Sequence, residues 1–112
     1  MKYQALLLGC DTKLAEAVAL VLHLDGAGVG FAGNYSDALR VLQTHPPDLL
    51  LLDLKNSEAD SLNLLRQIKH YPLPTPVMSM ALAPGGDQTP IIRAFDLGLT
   101  EFVQLPFENS LF

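Results

Sequence analysis

Few side chains in this sequence have a type and a placement suited to chemistry. Asp53 closes the apolar run Leu49-Leu50-Leu51-Leu52, and Cys10-Asp11 follow the run Ala5-Leu6-Leu7-Leu8 after one glycine, Gly9. A reduced thiol at such a place could bind a soft metal or act as a nucleophile, yet a cysteine beside an apolar run is more often a small buried hydrophobe. Asp53 reads as a turn or cap carboxylate, and Asp11 before Thr12 as a helix N-cap. His23, His45 and His70 share no spacing that would gather them on one metal. Gly26, Gly28 and Gly30 follow a helical pattern and precede a strand, the reverse of the order a dinucleotide-binding loop requires, so they are turn glycines. No phosphate-cradling glycine loop follows the first apolar run and no nucleophile–base pair is visible. The chain is therefore expected not to be an enzyme.

The elements that position these residues must come from one domain. With 112 residues, 49% of them hydrophobic, 1–112 is read as a single domain with one layered core. Seven basic against twelve acidic side chains give a net charge of −5. An acidic surface with scattered cations argues against direct nucleic-acid binding. No apolar stretch is long enough to span a bilayer. Met1-Lys2 with the run up to Gly9-Cys10 has the outline of a lipoprotein signal, but an apolar core of five residues is short of the roughly 7–15 that such a signal needs. The expected compartment is the cytoplasm, with Cys10 reduced.

Apolar runs and helical patterns alternate along the chain. Ala5–Leu8 is a strand, and Lys13–Leu24 a helix with Leu14, Val18, Val21 and Leu22 on one side. Val29–Ala32 is a weak strand, and a helix capped by Ser36 runs to Gln43 ahead of Pro46-Pro47. The four leucines 49–52 leave no polar face, which implies a strand buried on both sides in a parallel sheet. Ser61–Lys69 is helical, Val77–Leu82 is a buried strand with Met78 and Met80 in its packing, and Pro90 opens a helix whose apolar face is Ile91, Ala94 and Phe95. Gly98 closes that helix before a short strand, Glu101–Gln104. Five strands alternating with four helices imply right-handed crossovers and a doubly wound three-layer α/β sandwich. In such sheets the functional residues lie beyond the carboxyl ends of the strands.

Pro47-Asp48-Leu49-Leu50-Leu51-Leu52-Asp53-Leu54, then Asp60-Ser61 and Leu64-Leu65-Arg66, resemble the phosphoacceptor region of response regulator receiver domains, the signalling modules of two-component systems. Ala94-Phe95-Asp96-Leu97-Gly98 and Phe102-Val103-Gln104-Leu105-Pro106-Phe107 resemble the closing motif of that family. The resemblance implies a flavodoxin-like fold with a five-stranded parallel sheet of order 2-1-3-4-5 and Asp53 as the phosphoacceptor position. It also implies an acidic pair after the first strand that helps to hold Mg²⁺, a Ser or Thr after the fourth strand, and a Lys before the closing proline.

The sequence departs from that pattern. The acidic pair is replaced by Gly9 and Cys10, the hydroxyl by Ala81 and the lysine by Leu105, while Phe102 holds the aromatic switch position. Gly9 and Cys10 offer none of the hard oxygens that Mg²⁺ prefers. A one-residue shift in register brings Asp11 toward the metal position, which leaves weak cation binding by Asp11 and Asp53 open. No cofactor is expected beyond weakly held Mg²⁺. The reading is a degenerate receiver that acts by protein–protein contact with a histidine kinase, an output domain or a second copy of itself, with phosphorylation of Asp53 impaired or absent. The alternatives are a receiver that is still phosphorylated, and, more remotely, a small flavodoxin-like cofactor-binding protein. The loop Pro84-Gly85-Gly86 is expected over the pocket. The fifth helix of the family is expected near Asn109, so most of it is missing and the chain reads as a piece of a longer protein. At 100° per residue the apolar positions of Lys13–Leu24 cover an arc of about 220°, too wide for a surface helix with one covered side. The expectation is self-association through that face and the place where the fifth helix would lie, or cover by a neighbouring segment of a longer protein, with a monomer that repacks Leu111 and Phe112 over the uncovered surface as the alternative.

Overall fold

The computed structural model describes residues 2–73, 75–84 and 88–105. In chain order these form β1 (Tyr3–Leu8), α1 (Thr12–Leu24), β2 (Ala27–Ala32), α2 (Tyr35–Thr44), β3 (Leu49–Asp53), α3 (Glu58–His70), β4 (Met78–Pro84), α4 (Thr89–Asp96) and β5 (Glu101–Leu105). All strands are parallel, in the order β2-β1-β3-β4-β5. This is the sheet that the alternation and the resemblance imply. The expected fifth helix near Asn109, the Pro106-Phe107 end of the closing motif, Leu111, Phe112 and the glycines of the Pro84-Gly85-Gly86 loop lie outside the described residues.

Side chains of a strand alternate between faces, and here the alternation divides the apolar residues between two cores. Leu6, Leu8, Leu50, Leu52, Ala81 and Ala83 turn to the face covered by α2, α3 and α4, which contribute residues such as Leu42, Leu64 and Ile91. Leu7, Leu51 and Leu82 turn to the other face, where Leu14, Val18 and Leu22 of α1 meet them. The consecutive leucines of β3 are thus buried on both sides for the reason their unbroken run suggests.

Cover is uneven between the two faces. No residue of α1 is fully buried, and Leu20, Val21 and Leu24 are 59%, 65% and 78% exposed. Val21 therefore does not belong to the inward side with Leu14 and Leu22. It borders an apolar groove of about 490 Å³ between α1 and the sheet, lined also by Val18, Leu51, Met80, Leu82 and Val103. Met78 shares its strand face with Met80 and Leu82, but at the start of β4 it is 52% exposed rather than packed in the core.

Several helix starts differ from the sequence reading. Asn34, not Ser36, caps α2: its backbone is extended and its side-chain oxygen accepts the Asp37 N–H at 2.9 Å. Ser36 then falls inside the first turn. Helix α3 starts at Glu58, ahead of Ser61, with Glu58 and Asp60 in its first turn, where the positive end of the helix dipole favours carboxylates. At α4 the expected closure holds: Gly98 takes φ of +101°, its N–H reaches the Phe95 carbonyl at 3.0 Å and Leu99 N–H that of Ala94 at 3.0 Å.

The two-sided burial of β3 makes a quantitative contrast. Leu50→Ala is expected to destabilise the fold by about 2–5 kcal/mol, because the cavity lies in the middle of the sheet, whereas Leu24→Ala should change stability by about 0.5 kcal/mol or less. Urea unfolding of both variants measures the difference, and equal effects would contradict the assignment of the core.

Candidate functional site

The carboxyl ends of β1 and β3 lie side by side, with Leu8 paired to Leu52. Asp53 follows Leu52 and has no solvent exposure. A buried carboxylate must be hydrogen-bonded within the fold. One of its oxygens, Oδ1, accepts the backbone N–H groups of Lys55 at 2.9 Å and Asn56 at 3.1 Å, while Oδ2 accepts the side-chain amide of Asn56 at 2.7 Å. The same amide nitrogen lies 3.4 Å from Oδ2 of Asp11. Asp11 also caps α1, its Oδ1 accepting the Leu14 N–H at 2.9 Å, which is the role its place before Thr12 suggests. The structure thus brings Asp11 and Asp53 to one amide.

Ser57 closes the other side of the turn. Its hydroxyl donates to the Asp53 carbonyl at 2.8 Å and lies 3.2 Å from the Leu8 carbonyl and 3.4 Å from the Ser61 hydroxyl. Because it faces these groups it makes no side-chain cap to α3. Gly9 sits against it with φ of +66°, and a Cβ at this position would collide with Cβ and Oγ of Ser57. Position 9 therefore requires glycine for two reasons, the left-handed backbone and the adjacent serine.

Cys10 packs partly buried on the α1 side of the sheet beside Leu14 and Val18. Burial pushes its thiol up to about 12, with the charge of Asp53 and then that of Asp11 adding to the shift. The thiol is protonated at neutral pH, which suits a small hydrophobe rather than a thiolate ligand. Ala81 is fully buried, paired with Leu52 of β3 on one side and Phe102 of β5 on the other. Phe102 is half-buried and meets Phe95 of α4 edge to face, with ring centres 5.9 Å apart at 84°. Leu105 pairs with Pro84 at the carboxyl end of the sheet, and its side chain lies outside the described residues.

Asn56 and Ser57 escaped the sequence reading. An asparagine and a serine just after a strand-end aspartate are ordinary turn residues, and the two groups they bind come from β1 and its following loop, far away in sequence. The donor set does not suit Mg²⁺, which needs several hard oxygens in octahedral array. Every carboxylate oxygen of Asp11 and Asp53 already accepts a hydrogen bond, Gly9 has no side chain, and Cys10 carries a protonated thiol. Among the described residues no group of three or more His, Cys, Asp or Glu side chains could hold a metal ion, and the one ion pair joins Arg40 to Asp37, away from Asp53.

The sequence profile of the response regulator receiver domain matches residues 10–111. The transcriptional regulatory protein CrdR of Helicobacter pylori is 32% identical over 109 residues, which cover 96% of this chain and 50% of that protein. The transcriptional regulatory protein KdpE of Staphylococcus aureus is 27% identical over 107 residues, covering 96% of this chain and 45% of that protein. The chain thus spans about half the length of these relatives. The crystal structure of a response regulator signal receiver domain from Bermanella marisrubri superposes with a TM-score of 0.82 at 26% identity, over 96% of this chain and 88% of that one.

The shielded thiol can be read directly. Since the thiol sits near 12 in the folded chain against an ordinary 9.0, its thiolate fraction at pH 8 should be lower by about a thousandfold, and alkylation by iodoacetamide slower in that proportion than in the urea-unfolded chain. Linkage gives the sign for stability: the folded value is raised, so the contribution of Cys10 is fully present below pH 9 and is lost as pH rises toward 12. Equal alkylation rates for folded and unfolded protein would contradict the buried placement.

Proposed function

The chain belongs to the response regulator receiver domain family, and from that membership we propose that it is a non-catalytic signalling module that acts in the cytoplasm through protein–protein contact, with phosphorylation of Asp53 impaired or absent. One observation carries the reading: Asp53 is fully buried with both oxygens hydrogen-bonded and no cationic side chain paired to it among the described residues. Transfer of a phosphoryl group to a carboxylate brings two negative centres together, and a hard cation with a fixed positive charge is needed to offset their repulsion. Gly9, Cys10, Ala81 and Leu105 supply neither charge nor a hydroxyl. A receiver still phosphorylated by a histidine kinase is the competing reading. It is favoured by the retention of Asp53 itself at the end of β3.

Incubation with a small phosphodonor and Mg²⁺ followed by intact-mass measurement separates the two. The expected result is no phosphoryl adduct, and Mg²⁺ titration should give no sub-millimolar affinity. Rapid, stable labelling that disappears in Asp53→Asn would establish the competing reading.

The partner we propose for the contact is a second copy of the chain, seated on the α1 side of the sheet. Support comes from the exposed Leu20, Val21 and Leu24 next to the apolar groove, a concentration of apolar surface that single scattered side chains do not make. Adjoining kinase or output segments would use the same surface. An acidic charge of −5 argues against nucleic acid as the direct partner, and no helix among the described residues is long and apolar enough to cross a membrane. Light scattering over a concentration series should show a dimer that Leu20→Glu weakens. A strict monomer at high concentration, unchanged by the substitution, rules out self-association.

A further inference from the structure

We propose that the side-chain amide of Asn56 stands in for the bridging cation of this site, tying Asp53 to Asp11, while Ser57 against Gly9 excludes the carboxylate that would compete for one. The inference rests on the reading of a receiver with impaired phosphorylation and names the residues that impose it. Its starting point is the misfit between this donor set and Mg²⁺. A buried carboxylate without a cation must be satisfied in another way, and the Asn56 nitrogen lies 2.7 Å from Asp53 Oδ2 and 3.4 Å from Asp11 Oδ2. Both neighbours are acceptors only, so the nitrogen and not the oxygen of the amide must face them.

Two consequences separate an amide from an ion. An amide donates hydrogen bonds without adding charge, so it satisfies the carboxylate oxygens and leaves the site as negative as before. An incoming cation must displace it. Asn56 also donates its backbone N–H to Asp53 Oδ1, so one residue grips both oxygens of the carboxylate and fixes the turn between β3 and α3. On the opposite side the Ser57 hydroxyl donates to the Asp53 carbonyl and lies 3.2 Å from that of Leu8, in contact with the space a side chain at position 9 would need. The turn is thereby fitted to a glycine at position 9 and closed by a neutral bridge. Restoring an acid at Gly9 alone meets Ser57 and a backbone φ of +66°. Asn56 is in this sense a positioning residue, acting through Asp53.

The test compares thermal midpoints of the whole chain and its variants with and without MgCl₂, against NaCl of matched ionic strength. The wild-type midpoint should not respond to Mg²⁺ specifically. Asn56→Ala leaves two carboxylates facing each other unbridged, so its midpoint should fall without Mg²⁺ and recover with it, and its apparent Mg²⁺ affinity should exceed that of the wild type by about tenfold or more, the scale on which groups that orient metal-binding carboxylates act. Adding Asp11→Asn to Asn56→Ala should abolish the gain, which a cycle of the single and double variants reads as coupling. Should Asn56→Ala not fold, Asn56→Asp preserves the size and should depend on Mg²⁺ still more strongly. A midpoint lowered equally with and without Mg²⁺, an unchanged midpoint, or a gain that survives Asp11→Asn overturns the inference. Labelling of wild-type Asp53 by a phosphodonor overturns the functional reading instead, whatever the variants do.

Discussion

A carboxylate without solvent exposure at the end of a strand of leucines must find its hydrogen bonds inside the fold, and the carboxyl end of this sheet is arranged around that need. Asp53 extends β3, whose Leu50 and Leu52 face one core and Leu51 the other, so no side of the strand end opens to water. Among the described residues its oxygens are reached by the turn that follows: the backbone N–H groups of Lys55 and Asn56 and the Asn56 amide. A turn folded this tightly delivers Ser57 to the Leu8 carbonyl and starts α3 at Glu58. The close approach of Ser57 then leaves room only for glycine at position 9. One desolvated charge thus sets the conformation of two loops that are distant in sequence.

The same strand links the site to an uneven distribution of cover. Three helices close the face that holds Leu50 and Leu52, while among the described residues α1 is the one helix over the face of Leu7, Leu51 and Leu82. Cys10 sits at the boundary, packed with α1 and within the electrostatic reach of Asp53, so the apolar surface that keeps its thiol protonated is continuous with the core under α1. The exposed apolar surface of α1 and Asp53 therefore belong to the same side of the sheet, Asp53 at its carboxyl end. Phe102 ties β5 to α4 by its edge-to-face contact with Phe95, beside the fully buried Ala81 of the adjoining strand.

Much of this was legible in the residues alone. Unbroken Leu49–Leu52 and Ala5–Leu8 fix two-sided burial because a run without polar positions has no face to give to water, and the alternation with helical patterns fixes parallel crossovers of one hand. The resemblance added the strand order. Asp11 as an N-cap and Gly98 as a helix stop followed from local chemistry, which depends on neighbours within a few residues. Cap choice at Asn34 over Ser36 did not, since both are good caps and the path of the chain out of β2 decides between them.

The tertiary structure alone decided what surrounds Asp53. Asn56 meets Asp11 across 45 positions of sequence, and Ser57 meets Leu8 across 49. No periodicity or spacing records such a meeting, because it exists only once β1 and β3 pair in register. Exposure of Val21 and Met78 was equally invisible: apolar character marks a side chain as able to be buried, while what packs against it in the fold determines whether it is.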